Sequence, residues 1–163
     1  MYYGKINHTD IANGPGVRVS LFVSGCRNRC RGCFNPETWI FSYGQLFTTD
    51  TVNEIYTALK PDYISGLTVL GGEPLEHENI PTLMRLLKIV KMLYPDKSIW
   101  MYTGKIYEDV CKWPILDYVD VLVDGPFVEE LKDISLTFKG SSNQRIIDVK
   151  ESRLAGCVVE VNI

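Results

Sequence analysis

The sequence predicts an α/β fold with a mostly parallel sheet, in a single domain that covers residues 1–163. Short apolar runs alternate with helical patterns along the chain, which is typical of right-handed βαβ units. No repeat, low-complexity tract or linker rich in Pro, Gly or Ser divides the 163 residues. A chain of this length can also bury an apolar core without help from disulfides.

The strands are predicted from short apolar runs that end at turn residues. They are expected at residues 17–23, 67–70, 98–102 and 118–123. Two runs in the less regular tail, residues 145–149 and 157–161, are candidate strands that would add in antiparallel orientation.

Three segments show helical periodicity. Residues 49–60 carry an apolar stripe that Thr49 or Asp50 would cap. Residues 81–94 begin with a proline suited to a first helical turn, and residues 106–112 form a shorter helix. The apolar face of the 81–94 helix consists of Leu83, Leu86, Leu87, Val90 and Leu93.

Four loops of unusual composition each follow a predicted strand. In parallel α/β folds, ligands bind at the carboxyl ends of the strands, so we expect these loops to meet on one rim. They are the cysteine-rich loop after residues 17–23, Gly71-Gly72-Glu73-Pro74, Thr103-Gly104 and Asp124-Gly125-Pro126.

Composition and charge exclude several classes of protein. The chain is 45% hydrophobic and 23% charged, with a net charge of −3 and a pI near 5.4, so we expect no nucleic-acid partner. No apolar run approaches the ~18 residues that would indicate a membrane span. The first residues lack the pattern of a signal peptide, and the cytoplasm is therefore the expected location.

Three of the five cysteines, Cys26, Cys30 and Cys33, form a C-x3-C-x2-C cluster. Clustered thiolates favour zinc, Cu(I) or an iron–sulfur centre. A structural zinc site takes four ligands, and no fourth ligand lies nearby in the sequence. A cubane [4Fe–4S] cluster held by three cysteines leaves one iron free, and the intervening arginines would suit its negative charge. We therefore favour a [4Fe–4S] cluster, with a zinc site completed by a distant ligand as the alternative.

The other two cysteines, Cys111 and Cys157, are remote from this cluster. We expect them to be small buried hydrophobic residues and not ligands.

The C-x3-C-x2-C segment resembles the signature of the radical S-adenosylmethionine (SAM) superfamily. That resemblance implies a partial (β/α) barrel, a [4Fe–4S] cluster whose free iron chelates SAM, and one-electron cleavage of SAM to a 5′-deoxyadenosyl radical. No catalytic group beyond the cluster and SAM is implied.

Gly71, Gly72, Glu73 and Pro74 resemble the GGEP motif of the superfamily, which holds the SAM amino group through backbone carbonyls and the glutamate. By itself such a sequence also suits a tight turn. Gly32 stands where many relatives place an aromatic residue, so the resemblance assigns Phe34 to the adenine. Thr103 and Asp124 are further candidates for cofactor binding, while a monovalent cation site is left open.

Three further stretches resemble those of glycyl-radical-enzyme activases, and in particular the activating proteins of anaerobic ribonucleotide reductase. These stretches are Asn13-Gly14-Pro15-Gly16-Val17-Arg18, Asp124-Gly125-Pro126-Phe127 and residues 140–148. The resemblance implies that the large subunit of the reductase is the protein substrate and that a donor such as flavodoxin supplies the electron.

Some roles and some functions stay open from the sequence. Asn143, Gln144 and Arg145 would bind SAM or the partner, or form a polar turn. Arg18 would pair with a carboxylate near the cluster or cap the fold. The alternative functions are an activase of pyruvate formate-lyase type, a small-molecule radical SAM enzyme such as 7-carboxy-7-deazaguanine synthase, and a zinc-stabilised binding module.

Overall fold

A computed structural model of the protein describes residues 1–161 and 163. The strands are β1 (Tyr2–Asp10), β2 (Val17–Val23), β3 (Gln45–Leu46), β4 (Ile64–Gly71), β5 (Ser98–Tyr102), β6 (Val121–Asp124) and β7 (Arg145–Asp148). The α-helices are α1 (Thr49–Leu59), α2 (Ile80–Leu93), α3 (Tyr107–Val110) and α4 (Val149–Ala155). Short 3₁₀ helices cover Pro36–Trp39, Pro114–Tyr118 and Glu129–Leu131.

The strands form one sheet in the order β3-β1-β2-β4-β5-β6-β7. The four central strands, β2, β4, β5 and β6, run parallel to one another. The edges are antiparallel, with β1 and β3 on one side and β7 on the other. The α/β class with its mostly parallel sheet is thus confirmed, and the sheet is consistent with a partial radical SAM barrel.

The two faces of the sheet have different roles. Alternate residues of β2, among them Val19 and Leu21, join the main apolar core with the inner faces of α1 and α2. The residues between them point the other way, where Phe22 of β2 and Leu70 of β4 line a pocket. The helix-covered face therefore stabilises the sheet, and the opposite face is left to build a site.

The predicted helices agree with the structure apart from their ends. Helix α1 is capped by Thr48, one residue earlier than expected, and the Thr48 N–H donates to Thr51 Oγ1 at 3.1 Å. Pro81 lies in the first turn of α2, as predicted. Leu93 does not belong to the buried face, because it lies at the end of α2 and 53% of it is exposed.

Several predicted boundaries were wrong. The helix expected at 106–112 covers only Tyr107–Val110, because a separate 3₁₀ helix begins at Pro114. This 3₁₀ helix extends to Tyr118, so the strand expected at 118–123 begins later than predicted. Residues 157–161 contribute an isolated bridge from Glu160 to Ile147 and no strand. Strands β1 and β3 were missed. No helix among the described residues is long and apolar enough to cross a membrane.

Candidate active site

The three clustered cysteines lie in the loop that follows β2. Cys26 is buried, and Cys30 and Cys33 are half-buried. All three line a pocket of about 370 Å³ at the carboxyl ends of the parallel strands, a volume typical of a small-molecule site. Burial raises the pKa of the Cys26 thiol, the expected effect of an apolar environment on a group that charges by losing a proton. A positively charged metal centre would reverse this preference by binding the thiolate.

The donor set fits an iron–sulfur cluster better than a single zinc ion. The described residues that line the pocket include these three cysteines but no histidine, aspartate or glutamate that could serve as the fourth ligand of a tetrahedral zinc ion. Zinc would draw its thiolates to within about 2.3 Å of one point, whereas a cubane cluster binds each cysteine at a separate iron. Three soft ligands around one pocket therefore match the cluster that the spacing predicts.

The structure brings the four expected loops to this pocket. Gly71 ends β4 and Gly72 follows it, Thr103 follows β5, and Gly125 follows β6. All four residues line the same pocket as the cysteines. Gly71 has a φ of 108°, and a Cβ at this position would lie 2.8 Å from the backbone of β2. Glycine is therefore required at the end of β4 for the close approach of the two strands.

Glu73, the third residue of the GGEP-like segment, is completely buried beside the pocket. Its Oε1 accepts hydrogen bonds from Leu75 N at 2.9 Å and Thr103 Oγ1 at 2.7 Å. Its Oε2 accepts from Asn28 Nδ2 and from Gly104 N, both at 2.9 Å. The carboxylate thus joins three loops by hydrogen bonds. Pro74, which follows, is buried and does not line the pocket.

A second set of contacts fastens the cysteine loop to the segment after Glu73. Arg27 donates from its backbone and from its guanidinium to the buried carboxylate of Glu76, at 2.8 and 2.6 Å, and also pairs with Glu78 at 2.6 Å. The amide of Asn79 donates to Ser24 O at 3.0 Å. These bonds fix the first part of the cysteine loop against the start of α2.

Residues 126–140, called here the strap loop, form one wall of the pocket. The Tyr102 hydroxyl donates to Phe138 O at 2.8 Å, and Phe138 has a φ of 55°, an uncommon conformation for a bulky residue. Burial raises the pKa of this tyrosine, so its hydroxyl stays a donor. The lining residues of the strap loop are Phe127, Leu136, Phe138, Lys139 and Gly140.

Phe34, the residue expected near the adenine, lines the pocket and is 60% exposed. Its ring packs on Phe127 of the strap loop with a centroid distance of 5.1 Å, and the Lys132 ammonium lies 4.8 Å from its centre. Arg31 adds an ion pair to Glu129 at 2.8 Å. The cysteine loop and the strap loop therefore meet at Phe34 across the outer part of the pocket.

Asp124 does not line the pocket. Its carboxylate is buried, accepts from Tyr107 N at 2.7 Å, and pairs with Arg145 at 2.5 Å. The side-chain amide of Gln144 accepts a hydrogen bond from Gly140 N and donates one to Gly125 O. Gln144 also lines the pocket. These contacts form a polar turn beside the pocket, and the Asp124 side chain is not among the residues that line it.

Arg18 lies at the opposite end of the strands from the cysteines. It is fully buried and donates to Thr68 Oγ1 at 2.7 Å, Leu67 O at 3.0 Å and Ser98 O at 2.8 Å. Burial without a carboxylate partner lowers its pKa to about 10. Arg18 therefore caps the fold, one of its two expected roles.

Other predicted residues lie apart from the site. His77 is exposed and stacks on Trp113. Cys111 is half-buried and Cys157 is exposed, so the expectation that both are buried was wrong. Sequence reasoning missed Asn28, which lines the pocket. The one signal in the sequence was its position between two of the three clustered cysteines.

Comparisons with known proteins agree with this site. A family model described as a 4Fe-4S single cluster domain matches residues 12–147. The anaerobic ribonucleoside-triphosphate reductase-activating protein of Enterobacteria phage T4 is 44% identical over 146 residues, which cover 90% of this chain and 93% of that protein. The proteins of the same name from Haemophilus influenzae and Escherichia coli are 43% and 40% identical, over 90% and 88% of this chain and 97% and 96% of their own lengths.

The fold, the cysteine pocket and the matching family model define an iron–sulfur activating enzyme of the radical SAM type. The chain belongs to the family of anaerobic ribonucleoside-triphosphate reductase-activating proteins. This membership confirms the resemblance drawn from the motifs and the [4Fe–4S] cofactor, and it argues against the zinc-stabilised module and the small-molecule enzyme.

Proposed function

We propose that this protein uses a [4Fe–4S] cluster and SAM to place a glycyl radical on an anaerobic ribonucleoside-triphosphate reductase. One observation carries the proposal: the three cysteines of the C-x3-C-x2-C segment and both glycines of the GGEP-like segment line the same pocket. The names of the similar proteins support the choice of reductase as the partner.

Different residues of the pocket would have different roles. Cys26, Cys30 and Cys33 would hold three irons of the cluster. The backbone of Gly71 and Gly72 would face the amino group of SAM, since glycine lets carbonyl oxygens approach a ligand closely. When bound, the cluster would supply one electron to SAM; the sulfonium bond would break to give methionine, and a hydrogen atom taken from the glycine of the reductase would complete 5′-deoxyadenosine.

The apolar wall of the pocket would keep water away from the reacting atoms. Phe22 and Leu70 from the sheet, with Phe34 and Phe127 from the loops, surround the space beside the cysteines. Exclusion of water and of stray hydrogen donors is what a protein contributes to radical chemistry carried by a cofactor. A glycine of the reductase would therefore be the hydrogen donor that reaches the site.

The electron donor and the compartment belong to this proposal as well. A small electron carrier such as a flavodoxin would reduce the cluster. The reaction would take place in the cytoplasm, where thiols are kept reduced and available as ligands.

The test is anaerobic reconstitution with iron and sulfide, then reduction with dithionite in the presence of SAM. We expect methionine and 5′-deoxyadenosine from the original protein and neither product from Cys30→Ala. Cys157→Ala is the matched control, because it removes an exposed cysteine outside the pocket. With the reductase added, a glycyl radical should appear in the electron paramagnetic resonance spectrum. SAM left intact by the reconstituted protein would refute the proposed chemistry, and SAM cleavage without a radical on the reductase would refute the partner.

A further inference from the structure

The buried carboxylate of Glu73 has no free acceptor position. Two oxygens offer about four lone-pair sites, and four protein donors fill them. The donors are Leu75 N, Thr103 Oγ1, Asn28 Nδ2 and Gly104 N. In this arrangement the Glu73 side chain has no site left for a ligand and organises the loops around it.

The four donors come from three different loops. Leu75 N belongs to the loop of Glu73 itself, while Thr103 and Gly104 are the first two residues after β5. Asn28 lies in the cysteine loop, two residues after Cys26 and two residues before Cys30. The Asn28–Glu73 hydrogen bond therefore connects the iron-binding segment to the segment expected to hold the amino group of SAM.

Gly104, which lies next to the Asn28 amide, leaves room for this hydrogen bond. A Cβ added to Gly104 would lie 2.3 Å from Asn28 Nδ2 and 3.5 Å from Glu73 Oε2. Gly104 does not have a positive φ, so backbone strain does not explain the glycine. The space for the Asn28 amide explains it instead.

We infer that Asn28 is a positioning residue for SAM. Its amide fixes the cysteine loop against Glu73 and so sets the position of the cluster relative to the GGEP-like segment. The inference rests on the proposed function, because it assumes that SAM binds both the free iron and this segment. A ligand held at two points loses affinity when the points shift relative to each other.

If Asn28 has this role, Asn28→Ala should weaken the binding of SAM without preventing assembly of the cluster. The three cysteine ligands are intact in Asn28→Ala, so iron and sulfide content should equal that of the original protein. The dissociation constant and the KM for SAM should rise about tenfold, the lower end of the ~10–100-fold losses of function seen when a group that orients the ligands of a metal site is removed. Any fall in kcat at saturating SAM should be smaller than the rise in KM, because no reacting group has been removed.

Asn28→Asp distinguishes the hydrogen bond from simple packing. Aspartate keeps the shape of asparagine, but it replaces the donor with a second carboxylate facing Glu73. The inference predicts SAM binding at least as weak as in Asn28→Ala. Asn53→Ala, which makes the same change at an exposed position on α1, is the control and should bind SAM normally.

Gly104→Ala tests the same contact from the other side. The added methyl should push the flexible Asn28 amide away from Glu73 and weaken SAM binding as Asn28→Ala does. In the double variant the second substitution should add little, because the contact is already broken. Fully additive losses would contradict the inference, as would SAM affinity in Asn28→Ala and Asn28→Asp equal to that of the original protein.

Hydrogen exchange of the metal-free protein gives a readout that does not depend on catalysis. Amides of residues 26–31 and 103–105 should exchange faster in Asn28→Ala than in the control, because the two loops are no longer joined. Unchanged exchange in both segments would show that the bond does not order them and would overturn the inference. If the original protein failed to cleave SAM, the proposed function would fail, while this measurement would still decide whether Asn28 joins the loops.

Discussion

Arg18 and Glu73 are fully buried charges at opposite ends of the parallel strands, and neither forms a salt bridge within the described residues. Both are satisfied by neutral hydrogen-bonding groups. The partners of Arg18 are strand residues such as Leu67 and Ser98, whereas Glu73 is bound by residues of three loops. The charge at the amino end thus joins strands to each other, and the charge at the carboxyl end joins the loops that form the site.

This difference has a physical basis. A buried charge is costly unless hydrogen bonds replace its hydration. At the amino end, strand backbones offer fixed carbonyl oxygens, so the arginine stabilises an arrangement that need not change. At the carboxyl end the donors come from segments that must also admit ligands. We therefore expect substitution of Arg18 to affect folding and substitution around Glu73 to affect binding as well.

The largest effect should come from Arg18→Ala. It removes the donor for at least three buried acceptors, and we expect a loss of at least about 3 kcal/mol in the free energy of unfolding. Urea unfolding of the metal-free protein measures this loss. Arg85→Ala, at an exposed position of α2, should change stability by less than about 0.5 kcal/mol. Similar losses in the two variants would mean that the Arg18 network does not hold the strands together.

A smaller loss is expected for Glu73→Gln. The new amide group turns one acceptor oxygen into a donor that faces two other donors, which should cost about 2 kcal/mol. Unlike Arg18→Ala, this variant should also weaken SAM binding after reconstitution, because Asn28 or Thr103 loses its acceptor. Glu37→Gln, at an exposed position, serves as the control in both unfolding and SAM titration. A stability loss with normal SAM affinity would remove the distinction between the two ends of the strands.

The sequence was sufficient for the central strands and for the rim, because buried parallel strands give continuous apolar runs and their special loops follow directly. It was not sufficient for β1, which pairs with β2 near the edge of the sheet. The polar residues Lys5, Asn7 and His8 interrupt the apolar pattern from which a strand would be predicted. The Glu73 network joins residues 30 and 45 positions away, and no local pattern encodes such contacts. For the same reason, the sequence predicted the motif that contains Asp124 but not the ion pair between Asp124 and Arg145.

The hydrogen bond that holds the strap loop at the carboxyl ends of the strands can be tested in the same way, and a smaller loss of stability is expected. Tyr102→Phe removes the donor to Phe138 O, the carbonyl of a residue with positive φ. We expect a loss of about 1 kcal/mol in unfolding free energy and faster hydrogen exchange in residues 126–140. Tyr63→Phe, at an exposed tyrosine, is the control. Unchanged exchange in the strap loop would show that other contacts, such as the Phe34–Phe127 packing, hold it in place.

The smallest effect should come from Glu108→Gln, which breaks an exposed ion pair at the carboxyl-end rim. The hydrogen bond from Arg145 lowers the pKa of Glu108 to about 2, from 4.5 for the free side chain. A carboxyl group with a lowered pKa stabilises the folded state above pH 4.5 and loses that contribution as the pH falls toward 2. Because 54% of the Glu108 side chain is exposed, solvent screens the pair and the loss at pH 7 should stay below about 1 kcal/mol. Urea unfolding between pH 7 and pH 3 should show the difference from the original protein shrinking with acidity. A difference as large at pH 3 as at pH 7 would mean that the Gln variant also disturbs the buried Asp124–Arg145 pair, so that Glu108 and Asp124 do not act independently.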